Sequence, residues 1–297
     1  MTGILLVDKP EGMTSAGVIR ALKPRLGRSK VGHLGTLDPF AAGLLPLCIG
    51  EATKVARWLL LEDKAYEGTI RLGTATDTLD GTGTTLASAP VPPLEARILD
   101  GVARQFVGRR RQVPPMYSAL KRAGVPLYEL ARRGIEVERE AREIEIRRLV
   151  LAARPPDRID FAVECSKGTY VRVLAAEIGE ALATVAHLEA LRRTRVGSFR
   201  IADATPVAAL LALPADAPLP LVPVRQALAA YGTFAAPSAE ALTRLRRGQQ
   251  EPLARLPAPR TSGETALLLD AAGDVAAVLE AAGERPAWRL ARLLGPS

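Results

Sequence analysis

The chain has 297 residues, 48% hydrophobic and 24% charged, an ordinary globular composition with enough length for one large domain or two unequal ones. Two cysteines (Cys48 and Cys165) and two histidines exclude a disulfide framework and leave a His/Cys zinc cage only if all four converge. A net charge of +8, with basic clusters at 109–111, at Arg192, Arg193 and Arg195, and at Arg244, Arg246 and Arg247, favours a polyanionic partner over a small neutral substrate.

In chain order, residues 4–7 read as a short buried strand ended by an Asp8-Lys9-Pro10 turn. The opening residues lack the basic leader and long apolar core of a signal peptide. Thr14 or Ser15 can cap a helix to about Leu22, stopped by Pro24. Residues 66–72 alternate as a strand, and 94–107 have helical spacing. Residues 108–134 mix Pro, Gly and Arg and read as a long loop or insertion with a short helix. Paired strands are expected at 144–152 and 159–165, then a helix over 171–183. The Pro/Ala-rich stretch 206–223 reads as a linker. The most apolar long stretch, 206–224, holds five prolines and Asp216, which argues against a membrane span. A cytoplasmic protein is expected. Beyond the linker come a helix at 238–247 and a hairpin from 266–269 and 275–279. The expected fold class is therefore α+β, with a main domain over 1–228 and a small, mainly β unit over 229–297.

Three segments carry candidate chemistry. Residues 30–54 (KVGHLGTLDPFAAGLLPLCIGEATK) are punctuated by glycines around the Asp38-Pro39 turn. Asp38 is either displayed at a cleft floor or bonded only to nearby backbone N–H groups. The segment lacks the Gly-Lys-Ser/Thr ending of a phosphate-binding loop, and His33 alone reads as structural. Residues 164–173 (ECSKGTYVRV) place Thr169, Tyr170 and Arg172 where a strand turns into a helix. There Tyr170 could stack or donate a hydrogen bond and Arg172 could pair with a carboxylate, or the segment is an ordinary helix start. Tyr66 begins a strand, as a core residue or as a base-stacking one.

Together these segments resemble the TruB family of tRNA pseudouridine synthases, whose GHxGTLDPxAxGLLP motif surrounds a nucleophilic aspartate. The resemblance extends through 3–13 (GILLVDKPEGM), Tyr66, 76–80 (TDTLD), 115–121 (PMYSALK), 128–134, CSKGTYVR and Leu191-Arg192-Arg193, spanning about 3–200. Leu34 and Ala42 stand where the family commonly has threonine, and Phe40 where it has leucine. The tail resembles a PUA RNA-binding module through 245–250 (LRRGQQ) and the hairpin. The resemblance implies a pseudouridine-synthase fold, a central mixed, mainly antiparallel sheet flanked by helices, with RNA contacts from the insertion at 108–134.

It also implies isomerisation of uridine 55 in the tRNA T-loop, with neither metal nor cofactor and no obligatory protein partner, by a monomer. By motif, Asp38 is the nucleophile and Arg172 its partner, expected to keep the carboxylate pKa low. Tyr66 stacks on the flipped base, Tyr170 lines the pocket, His33 enters the T-loop and Leu191 adds an apolar contact. Lys9 and Lys54 are candidate phosphate or structural partners, and Arg244, Arg246 and Arg247 candidate contacts outside the loop. All the proposed cleft residues lie before the tail, so the tail is expected to be removable without unfolding. The alternatives are a subunit directed by a guide RNA, a tRNA-folding chaperone, and a retaining glycosidase. The last would need a second carboxylate about 5–5.5 Å from the first.

Overall fold

The computed structural model describes residues 1–283 and 287–295. Its centre is an eleven-stranded mixed sheet. From one edge the strands run Thr205–Pro206, Gly3–Lys9, Ala42–Ile49, Ala186–Val196, Lys64–Leu72, Arg158–Cys165, Arg142–Arg154 and Gly108–Gln112. Three short strands pair off this path. Within this sheet, among the described residues, only the pairings of Gly3–Lys9 with Thr205–Pro206, and of Ala42–Ile49 with Ala186–Val196, are parallel, as a mixed, mainly antiparallel α+β fold requires.

Alternation sets the two faces. Along Arg158–Cys165, Ile159, Phe161, Val163 and Cys165 face the core, while Asp160 and Ala162 face outward. Three helices, Ser15–Leu26, Ala96–Phe106 and Val171–Ala181, cover the core face with Val18, Leu22, Phe106, Leu174 and Ile178. Gly43 is demanded by the parallel junction. Its φ is +102°, and a Cβ there would stand 2.4 Å from the Arg193 carbonyl oxygen.

Three expectations are corrected. Pro24 does not stop the first helix, which continues to Leu26. Pro24 lies in the last turn, where one lost backbone bond is tolerable, and burial of Leu22 and Leu26 in the core draws the chain on. The stretch 206–223 is no linker. Thr205–Pro206 and Leu221–Val222 each pair with Gly3–Lys9, and Val207, Leu210 and Leu219 are buried between them. Proline-rich composition here marks an edge wrapping, because proline cannot continue a ladder. Residues 108–134 do not form a loop throughout. Gly108–Gln112 is a sheet strand paired with the start of Arg142–Arg154. After it come a two-stranded hairpin, Lys121–Arg122 with Val125–Pro126, and the short helix Leu127–Arg132.

The tail forms a separate four-stranded sheet of Gly232–Ala235, Thr265–Leu269, Val275–Ala281 and Trp288–Leu293. One face closes on Leu242, Leu245 and Trp288. The other supplies Leu267 and Val278 to a cluster shared with Trp58, Leu59, Val196 and Phe199 of the main body. That shared core contradicts the expectation of a removable tail. Truncation after Leu228 would expose these apolar side chains, each worth about 1.5–3 kcal/mol when buried. The truncated protein is expected to melt well below the intact chain and to aggregate. An equal melting temperature in a thermal scan would refute this.

Candidate active site

The backbone brings Asp38 to the site through a serine. Ser15 Oγ accepts from Leu37 N at 2.9 Å and donates to Leu37 O at 3.1 Å, pinning the first helix to the residue before Asp38. Thr14 takes the cap instead, its hydroxyl accepting from Gly17 N at 2.8 Å. Lys9 ties down the other side. Its ammonium, fully buried, donates to the carbonyls of Met13 at 2.6 Å, Pro10 at 2.9 Å and Pro39 at 3.3 Å. Of its two candidate roles, the geometry leaves the structural one. Burial lowers its pKa to about 8, against the pull of nearby Asp38 and Glu11.

Asp38 lies in a cleft of about 840 Å³, together with Tyr66, Tyr170, Arg172 and Leu191. Arg172, at the start of its helix, brings Nε to 2.9 Å from Asp38 Oδ2. The remaining guanidinium nitrogens are committed. Nη1 donates to Thr78 O at 2.8 Å and sits 3.5 Å from Asp80 Oδ2, and Nη2 donates to Tyr117 O at 2.7 Å. Asp80 is itself fixed, its Oδ1 accepting from Thr78 Oγ1 at 2.8 Å and Thr82 N at 3.0 Å. Arg172 is almost wholly buried, whereas the Asp38 side chain is 37% exposed into the cleft. The carboxylate is thus clamped through one oxygen and open to a ligand.

The arginine does not hold the Asp38 pKa low. Burial raises it and Asp80 adds to that rise, while Arg172 and Lys9 oppose. The expected low value is corrected: a guanidinium shared between two carboxylates compensates the desolvation only in part. Any step that needs ionised Asp38 should therefore lose rate as pH falls, beginning above the ordinary carboxylate value of 3.8. Single-turnover rates across pH should show this acidic limb in the native protein. A flat profile down to pH 4 would contradict it.

Tyr66 and Leu191 are core residues whose edges reach the cleft. Tyr170 caps the Arg172 helix, its backbone N donating to Gln112 Oε1 at 2.8 Å and its carbonyl accepting from Gln112 Nε2 at 3.2 Å. The structure does not bring the other candidates into the cleft. His33 sits half-buried on the Val31–His33 strand, with a buried Nδ1 that has no partner and a pKa lowered by burial and by Arg193. Lys54 is exposed and paired with Glu51 at 2.7 Å. Arg244, Arg246 and Arg247 lie on and just beyond the tail helix Ala239–Arg246, where Arg244 pairs with Glu251.

Sequence reasoning missed Asp80 as a site residue, although it ends the TDTLD run, and counted Arg193 in a basic cluster facing a polyanionic partner. Arg193 is 1% exposed and lines the cleft beside Tyr66. Its Nε donates to Leu44 O at 2.7 Å and its Nη2 to Gly35 O at 3.0 Å, bracing the loop that leads to Asp38. The whole cluster is spent internally, since Arg192 pairs with Asp8 and Arg195 with Glu164, each at 2.7 Å. Period-two alternation was the available signal, because adjacent residues on a strand point to opposite faces.

Among the described residues no cluster of His, Cys, Asp or Glu could hold a metal ion. No helix in them is long and apolar enough to cross a membrane. Residues 23–171 match the model of the TruB family pseudouridylate synthase N-terminal domain, and 172–217 that of the tRNA pseudouridylate synthase B C-terminal domain. The chain belongs to the TruB family.

A tRNA pseudouridine synthase B from Psychrobacter cryohalolentis is 50% identical over 221 residues, covering 73% of this chain and 62% of that one. One from Aromatoleum aromaticum is 50% identical over 77% of this chain and 74% of its own. One from Opitutus terrae is 46% identical over 76% of this chain and 95% of its own. The chain thus spans less than two thirds of the Psychrobacter protein. Among solved structures, a chain of a Cbf5-Nop10-Gar1 complex superposes with a TM-score of 0.71 at 23% identity, over 99% of this chain and 85% of that one, a likeness of fold.

Proposed function

We propose that this protein converts uridine 55 in the T-loop of tRNA to pseudouridine, with Asp38 as the nucleophile. The observation that carries the reading is the Asp38–Arg172 clamp, which leaves one carboxylate oxygen unbonded on the floor of a nucleoside-sized cleft. The names of the relatives supply the substrate class. The target base leaves the loop stack, costing about a few kcal/mol, and stacks against Tyr66, with Tyr170 and Leu191 closing around it. Asp38 attacks C6 of the uracil or C1′ of the ribose. The N-glycosidic bond breaks, the base turns, C5 joins C1′, the aspartate is released, and the proton lost from C5 is balanced by one taken up at N1. No electrons are gained or lost overall, so the isomerisation calls for no redox cofactor.

In this reading residues 1–228 carry the catalysis, the insertion around 108–134 contacts RNA, and 229–297 act as a PUA-like RNA-binding module. His33 enters the loop from the rim of the site. Lys54, Arg244, Arg246 and Arg247 are left as outer phosphate contacts. The protein works as a cytoplasmic monomer on bare tRNA. The test is to incubate purified protein with unmodified tRNA transcript and map pseudouridine position by position. One modified position in the T-loop is expected. Absence of product, or product elsewhere, would overturn the reading.

A further inference from the structure

The insertion holds a second cavity, of about 400 Å³, that the catalytic chemistry leaves unused. Leu120 stands in the wall of both cavities. Lys121, Arg122, Arg139 and Arg142 line the second cavity, against the exposed carboxylates Glu138 and Glu140. Its frame is built. Leu127 N donates to Leu120 O at 2.7 Å, and the Arg122 guanidinium closes onto the Glu138 carbonyl.

Two observations say what the cavity would take. Arg139 Nη1 donates to Pro114 O at 3.3 Å and Nη2 reaches the largely exposed Glu136 at 3.2 Å. Its Nε is buried with no acceptor among the described residues, a donor that costs stability until an acceptor meets it. Lys121 and Arg142 form no salt bridge among the described residues, unlike the arginines at 192 and 195. Planar guanidinium forks around a pocket suit a tetrahedral oxyanion. Arg142 also lies near enough to Tyr170, which lines the cleft, for its charge to bear on that phenol.

We propose that this cavity is a phosphodiester subsite, seating a backbone phosphate of the RNA next to the nucleotide held in the cleft. It rests on the reading of the chain as an RNA-modifying enzyme. Two of its four cations, Arg139 and Arg142, lie beyond the insertion at 108–134.

The test measures the dissociation constant for unmodified tRNA against salt concentration. For the Arg139→Gln/Arg142→Gln variant the constant should rise about tenfold and the log–log slope should fall by about one to two units. The charge-keeping Arg139→Lys/Arg142→Lys variant should recover most of the slope. Arg20→Gln, on the exposed side of the first helix, removes equal charge and should leave the slope alone. If the double variant melts early, Arg142→Gln alone, on an exposed residue, should still lower the slope by about one. A second arm replaces single linkages around the target uridine with uncharged methylphosphonates. One linkage should weaken wild-type binding and have no further effect on the double variant. Unchanged slopes, or additive effects at every linkage, would overturn the subsite. Failure of the wild type to form pseudouridine would instead overturn the functional reading, so the two failures are separable.

Discussion

Asp38→Asn is expected to abolish turnover while leaving tRNA affinity within about tenfold, roughly 1.4 kcal/mol. The amide is nearly isosteric, and its oxygen can still accept from Arg172 Nε, where the carboxylate now sits at 2.9 Å. It cannot serve as the nucleophile that the proposed reaction needs. A second consequence follows from the raised pKa. A carboxyl whose folded pKa lies above its unfolded value stabilises the fold most below the unfolded pKa and loses that contribution as pH rises through the folded one. At neutral pH ionised Asp38 is therefore a burden on stability, with burial as its main cause. Its exposure into the cleft tempers the size of the effect but not the sign. The variant should melt at or slightly above the wild type near pH 7, and the gap should close as pH falls. Substantial residual product in a single-turnover assay would remove Asp38 as nucleophile. A clearly lower melting temperature at neutral pH would show that the ionised pair stabilises the fold.

How far the sequence revealed this site depended on what kind of interaction placed each residue. Asp38 and Arg172 sit at local punctuation, a turn before proline and a helix start, and both were legible. The strands read at 66–72 and 159–165 are likewise present, within Lys64–Leu72 and Arg158–Cys165. Residues placed by long-range bonding were not legible. Lys9 looks like any surface lysine next to a turn, and only the convergence of three carbonyls explains its complete burial. Arg193 was concealed by its neighbour, because an Arg-Arg pair reads as a charged surface until a strand sends the two to opposite faces. The stretch 206–223 was misread because composition reports what proline prevents, whereas Val207, Leu210 and Leu219 decide where the segment packs. The tail misled for a related reason: its hairpin was visible, but which of its two apolar faces met the main body was not.

Arg172→Lys is expected to cut the single-turnover rate at least a hundredfold, about 2.7 kcal/mol, although charge is kept. The guanidinium bonds in three directions at once: to Asp38 through Nε, to Thr78 O through Nη1 and to Tyr117 O through Nη2. These acceptors come from three separate segments, so the planar fork sets the position of Asp38 relative to the Asp80 turn and the 115–121 segment. A lysine ammonium is a point charge on a flexible stem. It can approach Asp38 or the two carbonyls, but it cannot span all three with the same alignment. Each buried acceptor left unmet costs about 1–3 kcal/mol, so the variant should also melt earlier than the wild type. The charge near Asp38 becomes less well directed, and the acidic limb of the pH–rate profile should move further up in pH. Rate loss and limb shift together identify a positioning role that a merely destabilised protein would not show. A near-native rate with an unmoved limb would mean that positive charge alone suffices, and that the fork geometry does not set the reactivity of Asp38.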